Sequence, residues 1–173
     1  MIRVARLTGA ALARALPDVA RLRIAVFRAF PYLYDGDPAY EESYLRVYRD
    51  SADAILVGAF DGDRLVGAAT GTPMEDHAGD FGAAMSGCGV PLERIFYCAE
   101  SVLLPDYRGH GIGHRFFDLR EDHARALGRA GGGWTLLMAA AEGGKDGRLR
   151  YEQQSAAYSA ELTARAERRR QRR

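Results

Sequence analysis

Apolar positions along the chain change their period several times, and each change marks an element. Residues 2–7 alternate apolar and basic side chains, which predicts a short first strand. Between residues 10 and 30, Leu12, Leu16, Val19, Leu22, Val26 and Phe30 recur at three- and four-residue steps. Pro17 and Asp18 suit a helix start, so the spacing predicts a helix over 17–30. Residues 31–38 read as a loop, and residues 39–49 as a second helix with Tyr40, Tyr44, Val47 and Tyr48 on one broad face. Two apolar runs, 54–60 and 64–72, flank Asp61, Gly62 and Asp63, and an Asp-Gly turn between such runs is a hairpin signal. Residues 75–91 are glycine-rich and aperiodic and read as a long surface loop.

An apolar and aromatic run follows over 95–104, closed by Pro105, which has no N–H for a sheet ladder. Arg108, Gly109, His110, Gly111, Ile112 and Gly113 come next. Glycines there let the backbone take positive φ and aim its N–H groups to one side. Residues 113–127 return to helical spacing, with Phe116, Leu119, Ala126 and Leu127 apolar. Strand, glycine turn and helix together form a pyrophosphate site, because the unpaired N–H groups and positive dipole end of the helix face an anion lying against the turn. The order predicted is β, α, α, β, β, β, α.

The glycine pattern separates this turn from two other phosphate loops. A nucleoside-triphosphate P-loop needs Lys-Ser or Lys-Thr after its last glycine, and none stands here. A dinucleotide fingerprint wants a glycine where His114 stands and an acidic residue about 20 positions on, where the chain has Gly131 to Gly133. What remains is Arg-x-x-Gly-x-Gly preceded by Leu-Pro-Asp-Tyr. This resembles the GCN5-related N-acetyltransferase family, whose motif reads Val-x-Pro-x-Tyr-Arg-Gly-x-Gly-Ile-Gly. Leu103 replaces the Val, and Pro105, Tyr107, Arg108, Gly109, Gly111, Ile112 and Gly113 match.

The resemblance covers residues 1 to about 128. It implies an α+β fold with a mixed, mostly antiparallel sheet flanked by helices, and an N-acetyltransferase that moves acetyl from acetyl-coenzyme A, its substrate, to a small-molecule amine. Backbone N–H groups of Arg108, Gly109, His110, Gly111, Ile112 and Gly113 would hold the pyrophosphate. Backbone groups of Val102, Leu103 and Leu104 would pair with the pantetheine arm as an added strand. The loop between the first two helices would line the acceptor site, where Phe30, Tyr32, Tyr34, Asp35, Asp37, Tyr40, Glu41 and Glu42 offer the acid and aromatic surface that suits a cationic amine.

Transfer to an amine needs a proton acceptor and stabilisation of the oxyanion and thiolate. Glu100 is the candidate base, as the one carboxylate inside an otherwise apolar strand. The family's usual strand-4 glutamate, counted back from Arg108, falls nearer Tyr97. A structural ion pair with an arginine is the other reading of Glu100. Tyr158, with Tyr151 as alternative, is the candidate general acid.

Composition and charge set limits around this reading. A chain of 173 residues has the size of one domain. It holds no run of 18 apolar residues, and MIRVARLTG lacks a signal-peptide core, so the expected location is cytoplasmic, with no membrane partner. Cys88 and Cys98 have no metal-type spacing, and the His110 and His114 pair has no third ligand nearby, so no metal is expected. The net charge of +1 hides a mildly acidic body over 1–147 and a basic end over 148–173, with Arg168, Arg169, Arg170, Arg172 and Arg173.

After Gly128 the chain departs from the family's pattern. Residues 134–141 could form one strand, residues 148–173 read as a polar helix, and no closing hairpin is visible. The abrupt Gly/Ala/Arg composition predicts a boundary near 128 and a loosely attached segment, 129–173, that replaces the native end through a shifted frame or truncation. A non-catalytic acyl-coenzyme A binder with a degenerate or truncated acceptor half is the alternative function. Nucleic acid is not an expected partner, since the arginines lack interleaved aromatics. A homodimer is left open.

Overall fold

A computed structural model describes residues 2–29, 32–79 and 91–131 of the chain. Among the described residues five strands form one sheet in sequence order: β1 (Ile2–Leu7), β2 (Ile55–Asp61), β3 (Arg64–Pro73), β4 (Ile95–Leu103) and β5 (Ala130–Gly131). The first four pair antiparallel, and β5 joins β4 in parallel. Among the described residues α1 (Gly9–Phe27), α2 (Pro38–Asp50) and α3 (Ile112–Ala126) cover the sheet. The α+β class and the element order therefore agree with the sequence reading up to α3.

Two cores explain why β2 and β3 are so uniformly apolar. On one face Leu56, Leu65, Ala68 and Val102 meet Leu12, Val19 and Leu22 of α1 and Leu45 and Tyr48 of α2. On the other, Ile55, Val57, Ala59, Val66 and Phe96 meet Ile112, Phe116 and Ala124 of α3. A strand buried on both faces loses the polar half of its alternation. Gly71 fits tightly here, since a Cβ on it would lie 2.6 Å from the Phe96 ring.

The helices begin and end for different reasons. Asp37 caps α2 by accepting from the Ala39 N–H at 2.9 Å, and Pro38 fills the first helical position, where a missing N–H costs nothing. The start predicted for α1 at Pro17 is corrected to Gly9, with Pro17 inside the helix. Leu12 is buried in the first core, and that packing holds a helix whose ladder the proline interrupts. The loop predicted for 75–91 opens with a 3₁₀ turn, Met74–His77. Bidentate contacts from Arg129 to Glu75, at 2.6 and 2.7 Å, and a bond to the Glu93 carbonyl, at 2.9 Å, tie this turn to the start of β5.

Among the described residues no helix is long and apolar enough to cross a membrane. The strand expected over 134–141, the helix over 148–173, Tyr151, Tyr158, Phe30 and Cys88 lie outside the described residues. The short strand β5 begins just past the boundary expected near 128.

Candidate functional site

β4 leads into the glycine turn through a sequence of local constraints. Leu104 donates to the Val66 carbonyl at 3.0 Å, and Pro105–Tyr107 makes a single 3₁₀ turn. The Tyr107 hydroxyl donates to Asp61 Oδ2 at 2.8 Å, which fastens the turn to the β2–β3 hairpin. That bond, more than burial, raises the pKa of the phenol. Arg108 Nε donates to the Leu103 carbonyl at 3.3 Å, and the exposed His110 ring lies 3.3 Å from the Tyr107 carbonyl.

Gly109 and Gly111 then take φ of +82° and +72°, the left-handed region that a side chain resists. Among the described residues a Cβ at Gly109, Gly111 or Gly113 would meet nothing within 4 Å. Gly111 is the N-cap of α3, and the first turn of α3 carries no acidic residue. Its N–H groups and dipole end therefore present positive potential without an internal anion to cancel it. Ile112, Val102 and Leu103 turn their side chains into the cores, so only their backbone groups remain for a ligand. Among the described residues β5 pairs with β4 only at Ile95 and Phe96, which leaves the Val102 end of that edge clear of β5.

Below the turn, about 13 Å from Leu104 at the usual rise of a strand, lies Glu100. It is not isolated. Arg23 Nη1 stands 2.7 Å from Glu100 Oε2, the Tyr44 hydroxyl donates to the same oxygen at 2.7 Å, and the Thr70 hydroxyl donates to Oε1 at 3.1 Å. Arg23 Nε also donates to Glu41 Oε2 at 2.5 Å. The premise of a carboxylate alone among apolar groups is thus corrected, and the ion pair weighed against it is present. Burial opposes the charge of Arg23, but Glu100 and then Glu41 outweigh it and hold its pKa above the ordinary arginine value. Burial, and after it the charge of Glu100, pushes the Tyr44 and Tyr48 phenols up.

The residues expected around an acceptor divide into two groups. Tyr32 and Tyr40 are more than half exposed. Glu41 is wholly buried on Arg23, Asp37 is spent on the helix cap, and the Tyr34 hydroxyl accepts from the Asp37 N–H at 3.0 Å. Rings of Tyr40, Tyr44 and Tyr48 follow one another along α2 with centroids 6.3 and 6.4 Å apart, running from surface to core. A cavity of about 390 Å³ between α1 and α2, bordered by Leu16, Pro17, Leu45 and Arg49, contains no side chain of the Glu100 cluster. Among the described residues no group of three His, Cys, Asp or Glu could hold a metal ion.

Sequence reading missed Arg23, Thr70 and Arg120, and it placed Glu41 on an acceptor surface, whereas the structure buries it on Arg23. The signal for Arg120 was available, since it occupies the 112, 116, 120, 124 stripe whose other members are buried in the second core. Arg23 likewise follows Leu22 on the buried side of α1.

Comparison with known proteins adds the family. A solved structure of the aminoglycoside N-acetyltransferase AAC(6')-Iy in complex with CoA is similar over 75% of this chain and 73% of that one, with 12% identity and a TM-score of 0.53. A ribosomal-protein-alanine N-acetyltransferase from Brucella melitensis biovar Abortus 2308 is similar over 88% and 89%, with 22% identity and a TM-score of 0.50. An integron cassette protein from the mobile metagenome of V. cholerae is similar over 75% and 71%, with 16% identity and a TM-score of 0.51. At such identities these structures speak for the fold. No curated protein sequence matches the chain. The family described as Acetyltransferase (GNAT) family matches residues 18–131, from within α1 to the end of β5. With that match spanning most of the chain, and with the glycine turn and sheet order that accompany it, the protein belongs to the acetyltransferase (GNAT) family and is an acyltransferase.

Proposed function

We propose that the protein transfers acetyl from acetyl-coenzyme A to a small-molecule amine. One observation carries the reading: a positive-φ glycine turn capping α3 stands at the end of the strand that also bears a partly accessible carboxylate, Glu100. The turn supplies N–H groups for the pyrophosphate, and the β4 edge near Val102 supplies backbone groups for the pantetheine arm. The complex of the aminoglycoside enzyme with CoA supports the choice of donor.

In the proposed reaction an unprotonated amine nitrogen attacks the thioester carbon. The C–N bond forms, the carbonyl electrons move to oxygen, and collapse of that oxyanion breaks the C–S bond, releasing coenzyme A as a thiolate that takes up a proton. The surplus proton on nitrogen passes to Glu100, directly or through a water. Glu100 Oε2 already serves Arg23 and Tyr44, while among the described residues Oε1 serves Thr70 alone and keeps an acceptor position for the incoming amine. Tyr158 as general acid has only the sequence behind it.

The test is release of free thiol from acetyl-coenzyme A against a panel of amines, with wild-type protein and Glu100→Gln. The reading expects thiol release that depends on the amine, and in the variant a lower kcat with the acetyl-coenzyme A-induced rise in Tm retained. A rise in Tm without amine-dependent thiol from any acceptor would leave coenzyme A binding without transfer, and the reading would fall.

A further inference from the structure

β4 holds one residue more than β3 can pair. Cys98 is opposite Gly71 and Ser101 is opposite Ala69, so Ala99 and Glu100 together face the single residue Thr70. Such a bulge reverses the alternation of side chains beyond it. Phe96 and Cys98 pack into the core beneath α3, and an unbroken strand would send Glu100 to that side too. Instead Ala99 packs against the core of α1 and α2, Glu100 reaches Arg23 of α1 and Tyr44 of α2, and Ser101 returns to the α3 side. The presence of Glu100 among the groups of α1 and α2 is a consequence of the bulge.

Arg120 of α3 holds that bulge. It is 1% exposed, and its Nη1 donates to the Thr70 carbonyl at 3.1 Å and the Glu100 carbonyl at 3.4 Å. Nη2 donates to Ser101 Oγ at 3.1 Å, and Nε to the Phe116 carbonyl one turn back on its own helix at 3.2 Å. Among the described residues it forms no ion pair with a carboxylate, so its contacts go to both strands at the irregularity. Thr70, Ala99 and Glu100 have no register partner across β3 and β4. A carbonyl deprived of a partner in a buried place costs more than an ordinary hydrogen bond returns, and Arg120 removes that cost at two carbonyls with one side chain. Burial lowers the Arg120 pKa, and the neighbouring Cys98 and Glu100 oppose that shift.

We propose that Arg120 is a positioning residue for the transfer reaction: it fixes the bulge that turns Glu100 toward the acceptor side of the sheet, and couples that strand to the helix whose first turn carries the coenzyme A site. The proposal rests on Glu100 meeting the amine, as proposed for the transfer step.

The experiment is a cycle of Arg120→Met and Glu100→Gln, each alone and combined, with Arg120→Lys as the conservative variant. Measured are kcat and KM for the best amine, Kd for acetyl-coenzyme A, and amide hydrogen exchange across the sheet. Arg120→Met should lower kcat about tenfold or more while Kd for acetyl-coenzyme A stays within about threefold, and Arg120→Lys should recover part of the loss. In the Glu100→Gln background the same change should cost less than about twofold, because the two residues act as a unit. Equal losses in both backgrounds, or a wild-type kcat in Arg120→Met, would overturn the proposal. If Glu100→Gln alone keeps full activity, the reading of Glu100 fails, and exchange then judges Arg120 separately: amides 98–101 should open faster in Arg120→Met while those of β1 and β2 are unchanged. Unchanged exchange at 98–101 overturns the role of Arg120. Should Arg120→Met not fold, Ser101→Ala removes one hold without touching core volume, and its kcat loss should vanish in the Glu100→Gln background; no loss with Glu100 present overturns the proposal.

Discussion

The Arg23 guanidinium lies 4.0 Å above the Tyr44 ring, and both residues reach the same oxygen of Glu100. One cation on α1 is thereby shared between a carboxylate of α2, Glu41, and one of β4, Glu100. Arg23→Met should therefore destabilise the fold by about 3–5 kcal/mol, since it leaves the buried Glu41 and the partly buried Glu100 without their counter-ion. Adding Glu41→Gln should return part of that loss. Denaturant unfolding checks both, and a Glu41→Gln addition that makes matters worse would show that Arg23 acts mainly through packing on Phe27 and Tyr44.

Tyr44→Phe separates the ring from the hydroxyl. The cation–π contact with Arg23 survives, while Glu100 loses one charge-assisted donor, worth about 1–2 kcal/mol in a half-buried site. Its loss of stability should be smaller than that of Arg23→Met in the same unfolding experiment. If Tyr44→Phe proves the more damaging, the hydroxyl rather than the guanidinium is the main support of Glu100.

Alkaline pH provides an independent probe of the cluster. Burial first, and Glu100 second, raise the Tyr44 and Tyr48 phenols above their usual value of 10. A pKa raised on folding gives stability that is complete below the unfolded value and declines as pH climbs past it, because the unfolded chain then gives up protons the native one keeps. Stability should accordingly be flat up to about pH 9 and fall above pH 10, with the phenolate absorbance of these two residues rising only on unfolding. The double variant Tyr44→Phe, Tyr48→Phe should show a shallower fall; an equally steep one would assign it to other groups.

Much of this architecture was written in periodicity, and what was hidden shares a cause. The hairpin at Gly62, the strand closed by Pro105 and the turn before α3 each depend on local chemistry, and local chemistry is legible from neighbours in sequence. The first half of α1 was obscured because Pro17 is a local signal overruled by the burial of Leu12. Glu100 was visible as a polar residue in an apolar strand, but its side of the sheet depends on a bulge that exists only relative to β3. The pairings of Arg23, Glu41 and Arg120 left no local trace, since their partners lie 18 to 77 residues away.

Gly111 and Gly113, on either side of Ile112, should respond differently to the same substitution. Gly111 holds φ at +72°, so Gly111→Ala forces a Cβ into left-handed backbone and should destabilise the free protein by about 1–2 kcal/mol, although nothing lies within 4 Å of the added methyl. Gly113 lies inside α3 without a positive φ, also with nothing within 4 Å among the described residues, so Gly113→Ala should leave the free protein equal or up to about 1 kcal/mol more stable by helix propensity. Acetyl-coenzyme A should then discriminate between fold and site. A ligand that binds only the native state at 100 times its Kd adds about 2.7 kcal/mol, so a loss of affinity appears directly as a smaller rise in Tm. Both variants should show that smaller rise: Gly111→Ala because the turn no longer aims its N–H groups, Gly113→Ala because its methyl stands over the first turn of α3. Thermal unfolding of the three proteins with and without acetyl-coenzyme A settles the matter, and an undiminished rise in Gly111→Ala would remove the turn from the coenzyme A site.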